Sequence, residues 1–244
     1  MTAMLASVRT LEEALLALEA GADFIDLKEP SQGALGALDH AAVRVCVKAI
    51  GGRRPVSATI GDIVSMDPRA MTAAVERMAA TDVDYIKIGF FTHPRALDCA
   101  TALRTLAHKT RLVAVLFADD PYDLRLVDAR AAAGFSGAML DTAHKTGKTL
   151  RDWRKDGELG EFVNRARAQG LLTGLAGSLR KEDMAPLLKI EPDYLGFRGA
   201  LCRNGDRVQI LDQEAFVSIR AAIPHCASID RRVATAKRTS ISLT

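Results

Sequence analysis

Several absences narrow what this chain can be. No apolar run approaches the roughly 18 residues needed to cross a bilayer, and the first residues lack the basic segment, apolar run and cleavage site of a secretory leader. A soluble, cytoplasmic protein with no membrane partner is expected. The four cysteines, Cys46, Cys99, Cys202 and Cys226, show no Cys-x-x-Cys spacing, which points to reduced thiols and not to a disulfide framework. No grouping of His, Asp, Glu or Cys has metal-ligand spacing, so no metal is expected. Strong net charge is also missing. The formal balance is +3, part of it carried by Arg231, Arg232, Lys237 and Arg238. The body is therefore near neutral, and nucleic acid is not an expected partner.

What is present is a repeated unit. Short apolar runs bounded by Gly, Pro, Asp or Ser read as strands, and each precedes a longer segment with helical periodicity. Strands are expected at 4–7, 24–28, 56–60, 85–89, 112–117, 137–140, 171–175 and 194–197. The helices between them are expected at 11–20, 39–50, 68–80, 94–108, 122–133, 159–169, 181–188 and 212–223, with a long polar loop over 141–157. The strands are continuously apolar, as in a parallel sheet covered on both faces. No Gly-x-Gly-x-x-Gly turn follows the first strand, which disfavours an open dinucleotide-binding sheet. The expected fold is α/β, a single (β/α)₈ TIM barrel over residues 1–227. A basic segment without periodicity, 228–244, is expected to be a mobile tail.

In such barrels the chemistry lies at the C-terminal ends of the strands. Asp26-Leu27-Lys28-Glu29-Pro30 is the most informative exit. Alternation places Ile25 and Leu27 on the helix side and aims Asp26 and Lys28 inward. A lone lysine there reads first as a solvated rim residue; the catalytic reading takes over because Lys87 on the fourth strand is also flanked by outward-facing isoleucines. Asp141 leaves the sixth strand with Lys145 four residues on. Converging lysines depress at least one pKa and free an amine for imine formation, with the carboxylates as proton carriers. Ser7, Thr59 and Asp119 complete the list of polar exits. Gly177 and Ser178 after strand seven, and Arg198, Gly199 and Ala200 after strand eight, suit a phosphate site built from backbone N–H groups and a guanidinium. The glycine-rich loop 31–37 reads as either a lid or a connector. Trp153 reads as a packing residue.

The motifs taken together resemble one family. Asp26-Leu27-Lys28-Glu29-Pro30 with Gly33-Ala34-Leu35-Gly36, Ser57-Ala58-Thr59-Ile60-Gly61-Asp62, Tyr85-Ile86-Lys87-Ile88-Gly89, Leu140-Asp141-Thr142-Ala143 with Lys145, Ala176-Gly177-Ser178 and Gly196-Phe197-Arg198-Gly199-Ala200 occur in the order and spacing of the (5-formylfuran-3-yl)methyl phosphate synthases of methanofuran biosynthesis. The resemblance runs from Met4 to Ile223 and departs at Phe117-Ala118-Asp119, where archaeal members carry tyrosine before Ala-Asp. It implies a Schiff-base lysine at Lys28, with Asp26, Lys87, Asp141 and Lys145 around it. It also implies a lyase-type condensation of two glyceraldehyde 3-phosphate molecules, a phosphorylated triose as small-molecule partner, and no cofactor. A generic class I aldolase and a non-catalytic phosphorylated-ligand-binding barrel stay open, as does a homo-oligomer.

Overall fold

In the computed structural model, which describes residues 1–224, the eight strands close into a parallel barrel in sequence order. The expected tail at 228–244 and Cys226 lie outside the described residues. The first half runs β1 (Ala3–Val8), α1 (Leu11–Glu19), β2 (Phe24–Leu27), α2 (His40–Ile50), β3 (Val56–Thr59), α3 (Pro68–Ala79), β4 (Tyr85–Phe90), α4 (Ala96–Ala102) and α5 (Arg104–Ala107). The second runs β5 (Arg111–Phe117), α6 (Arg125–Ala132), β6 (Gly137–Asp141), α7 (Leu150–Trp153), α8 (Asp156–Ala168), β7 (Leu172–Leu175), α9 (Lys181–Ile190), β8 (Tyr194–Phe197) and α10 (Gln213–Ala221). No helix of the described residues is long and apolar enough to cross a membrane.

Four helical expectations change: α6 starts three residues later than expected, at Arg125, and α8 three residues earlier, at Asp156. The fourth helix starts at Ala96, not at Pro94, because His93 Nδ1 accepts the Arg95 N–H in a preceding turn, and it is interrupted at Leu103. The polar stretch 141–157 contains a helical turn of its own, α7, which opens on a capping box between Thr149 and Asp152.

Strand alternation divides the apolar residues into two cores. Ile25, Leu27, Ile86 and Ile88 face outward into the layer between barrel and helices. Phe24, Tyr85, Val113, Val115, Met139 and Tyr194 fill the barrel interior. Phe24 packs against Tyr85 and Tyr194 at centroid distances of 6.2 and 5.6 Å. This aromatic plug needs Gly174, because any Cβ there would overlap the Tyr194 ring. Each large side chain so buried contributes roughly 1.5–3 kcal/mol. The plug also has a consequence for chemistry, since it forms a low-dielectric floor directly under the polar strand exits.

Register then brings the polar residues together. Ser7 pairs with Asp26 across β1 and β2, and Asp26 with Ser57 across β2 and β3. Lys87 is opposite Thr59, and Asp141 opposite Phe117. Lys28, one step past β2, donates its backbone N–H to Val8 O and continues the inward alternation. The barrel closes where β8 meets β1, and a clasp reinforces the closure. Thr10 caps α1 by accepting the Glu13 N–H, while the Glu13 carboxylate accepts from the Arg9 N–H and from both terminal nitrogens of Arg198 at the end of β8.

Candidate active site

A cavity of about 610 Å³ opens at the C-terminal ends of the strands. Lys28, Lys87, Asp141, Lys145, Ser7, Gly177, Ser178, Arg198, Gly199 and Ala200 all line it, so the barrel gathers most of the expected residues at one mouth.

Lys28 stands apart from the other cations. Its side chain is buried, with 6% of the residue exposed, yet it lines the cavity, and its amine makes no hydrogen bond among the described residues. Burial pushes its pKa down to about 8. Asp141 and Asp26 oppose that shift, and Lys87 and Lys145 add to it, so burial outweighs the lysine–lysine repulsion as the cause. At pH 7 roughly a tenth of such an amine is neutral, against well under a thousandth for an ordinary lysine.

Lys87 and Asp26 form a buried pair at 3.0 Å. Asp26 also accepts from Ser57 Oγ at 2.6 Å and Ser7 Oγ at 2.8 Å. Burial alone would raise the Asp26 carboxyl; Lys87, Lys28 and the Ser57 hydroxyl hold it below the usual range. It is fully buried beneath the cavity floor and contacts only these partners, so it orients Lys87 and is not placed to carry protons to a ligand. Asp141 is different. Its Oδ1 accepts from Lys145 at 2.9 Å and from the Thr142 N–H at 2.7 Å, and the residue lines the cavity. Lys145 and Lys28 overcome the effect of burial and keep it firmly ionised. Lys145 is held in turn by Asp141 and by Thr142 O and Oγ1.

Three further expected residues act at one remove. Thr59 is buried, donates to Gly36 O at 2.8 Å and fixes the loop after Lys28. Asp119 accepts the N–H groups of Ala143 and His144, both at 2.7 Å, and pins the loop that carries Lys145. Arg198 corrects the expectation of a phosphate contact. Its guanidinium donates to Glu13, Ser7 O, Arg207 O and Gln209 O, which takes up all of its N–H groups. It is a strut of the β8 exit. The loop 31–37 is neither a loose connector nor a free lid: Asp62 accepts the N–H groups of Ala34 and Leu35, and Leu35 is buried in the barrel interior.

The exits of β7 and β8 form a cradle. The backbone N–H groups of Gly177, Ser178, Gly199 and Ala200 find no acceptor among the described residues. Gly177 has φ +117° and its missing Cβ would lie 2.9 Å from Thr142 Cγ2, while Ser178 holds a left-handed φ of +49°. Backbone kept in that region by its surroundings stores on the order of 1 kcal/mol and exposes successive N–H groups, the geometry of an anion nest. Sequence reasoning missed Arg180, Lys181, Ser218 and Arg207, which also line the cavity. The first two directly follow the cradle and were open to detection on that ground; Ser218 and Arg207 lie in a later helix and loop and carry no local signal.

Comparison with known proteins agrees with this geometry. The profile of the family described as 4-HFC-P synthase matches residues 4–220. The (5-formylfuran-3-yl)methyl phosphate synthase of Methanopyrus kandleri is 41% identical over 218 residues, covering 84% of this chain and 91% of its own. A Methylorubrum extorquens protein given the same name provisionally is 47% identical over 209 residues, 86% of each chain. Among solved structures, a phosphoribosyl anthranilate isomerase from Thermus thermophilus superposes with a TM-score of 0.64 at 16% identity, covering 91% of this chain and 98% of its own, which speaks to the fold alone.

Proposed function

The chain belongs to the 4-HFC-P synthase family, and from that premise we propose that it condenses two molecules of glyceraldehyde 3-phosphate into (5-formylfuran-3-yl)methyl phosphate, the furan unit of methanofuran-type cofactors, through an imine on Lys28. The observation that carries this reading is the Lys28 amine itself, buried, without a hydrogen-bond partner among the described residues, and with its pKa lowered to about 8 in the cavity that the cradle also lines.

Lys28 Nζ attacks the carbonyl carbon of one triose and the carbonyl oxygen leaves as water. The iminium acidifies the adjacent carbon, so a proton can leave it, which permits isomerisation, elimination of phosphate and aldol addition to the second triose. Asp141, ionised and lining the cavity, is the base within the site; Lys87 and Lys145 supply positive charge to the developing oxyanion. Two triose phosphates minus one phosphoric acid and two waters equal the furan product in every atom, and hydrolysis of the imine returns Lys28. The overall change leaves no electrons over, so the reaction asks for no redox cofactor. The backbone groups of Gly177, Ser178, Gly199 and Ala200 suit the phosphate that the product retains.

Borohydride added with glyceraldehyde 3-phosphate should fix a stable adduct on Lys28, and incubation without borohydride should release phosphate and a furan chromophore. Lys28→Arg keeps the charge but cannot form an imine, so it should fold normally and lose turnover by several orders of magnitude. A normal rate in that variant excludes covalent catalysis at Lys28. An adduct with a product other than the furan would convert the reading to an aldolase of another phosphorylated sugar.

A further inference from the structure

We propose that Arg207 binds the phosphate of the second triose phosphate, in a subsite separate from the glycine cradle; this rests on the two-triose reading above. Two phosphate monoesters bring about −1.5 to −2 charges each into one cavity, and four backbone N–H groups on adjacent strand exits suit only one of them. Seven cationic side chains line the cavity against three carboxylates, Asp141, Glu182 and Asp206. Most of the seven are already committed. Lys87 is paired with Asp26, Lys145 with Asp141 and Arg198 with Glu13. Lys28 is the nucleophile. Arg180 and Lys181 follow the cradle into the start of α9, donating to Gly147 O and Ser218 Oγ, and so sit beside the first phosphate.

Arg207 is left. It is half-buried, and no carboxylate of the described residues lies within ion-pair distance of it. Burial lowers its pKa. Its one side-chain hydrogen bond runs from Nη2 to Gly33 O at 2.9 Å. That bond spans the mouth from the loop after β8 to the loop after β2, the strand that presents Lys28. A desolvated guanidinium with most of its donors unused, held across the mouth of the cavity that Lys28 also lines, has the fork that a phosphate monoester fits. The Arg207 Cβ and backbone pack beside Gly199, 3.9 Å from where a Cβ there would lie, but the guanidinium turns away from the cradle to Gly33 O in the loop after β2.

Titration with inorganic phosphate, followed by calorimetry, tests the assignment. The unmodified protein should take up two phosphates per chain and Arg207→Gln only one. Arg207→Lys, which keeps the charge and loses the fork, should retain two sites with the second weakened about tenfold or more. In Arg207→Gln the KM for glyceraldehyde 3-phosphate should rise by roughly 10–100-fold, while the borohydride adduct on Lys28 still forms with limiting substrate. The glutamine amide can itself donate to Gly33 O, so if Arg207 merely braces that loop the variant will still bind two phosphates, and the proposal falls. It falls equally if the unmodified protein binds only one. The two-triose reading fails separately, by the absence of a Lys28 adduct in the unmodified protein, and the phosphate count still decides the role of Arg207.

Discussion

Lys28 and Lys87 are both buried lysines on strand exits, and their surroundings give them opposite uses. Lys87 has a carboxylate at 3.0 Å, which holds it as a fixed charge; the Lys28 amine has no such partner and is the nucleophile in the proposed reaction. Because the neutral amine is the reactive form, proton loss activates it, and kcat/KM should rise with pH through an apparent pKa near 8 and level off above it. Lys87→Met removes a cation that lowers the Lys28 pKa and leaves Asp26 uncompensated. Both changes favour the charged amine, so the acidic limb of the profile should move to higher pH. The same substitution strands a buried carboxylate and should cost about 3 kcal/mol of stability, which Asp26→Asn combined with Lys87→Met should largely recover. Denaturant titration of the single and double variants checks this, and an unmoved pH profile would rule out electrostatic coupling between the two lysines.

At the scale of elements, catalytic geometry depends on loops held by carboxylates from neighbouring strand exits. Asp119, after β5, grips two backbone N–H groups of the loop after β6, and Asp62, after β3, does the same for the loop after β2. Each bond to a charged acceptor is worth roughly 1.5–3 kcal/mol before solvent screening. Asp119→Ala should therefore free the segment bearing Lys145, with kcat lower by roughly 10–100-fold and little change in global stability. Amide hydrogen exchange at Ala143 and His144 should accelerate in parallel, and unchanged protection there would show that Asp119 does not hold the loop.

For the whole molecule, the weak point of a barrel is its seam, where the last strand must find the first. Here β8 and β1 are joined by their ladder and by the buried Arg198–Glu13 pair, which also ties α1 to the site. Glu13→Gln leaves a buried guanidinium with only carbonyl partners, and unfolding free energy should drop by about 3 kcal/mol. A change below about 0.5 kcal/mol, as for an exposed pair, would place closure elsewhere.

The amino-acid sequence by itself determined the eightfold repeat, the inward aim of Asp26, Lys28 and Lys87, and the glycine turns of the cradle. All of these follow from local periodicity and backbone preference, which a few neighbouring residues express. Partner choice was decided only in three dimensions. Arg198 looked like an anion ligand and is consumed by Glu13 from the other end of the chain; Asp26 looked like a proton carrier and is sealed under the floor; Arg207 gave no local signal and reaches across the mouth of the cavity that Lys28 lines. Charges act through space and burial, not along the chain, so which cation is paired and which is left for a substrate is settled only when distant strands meet.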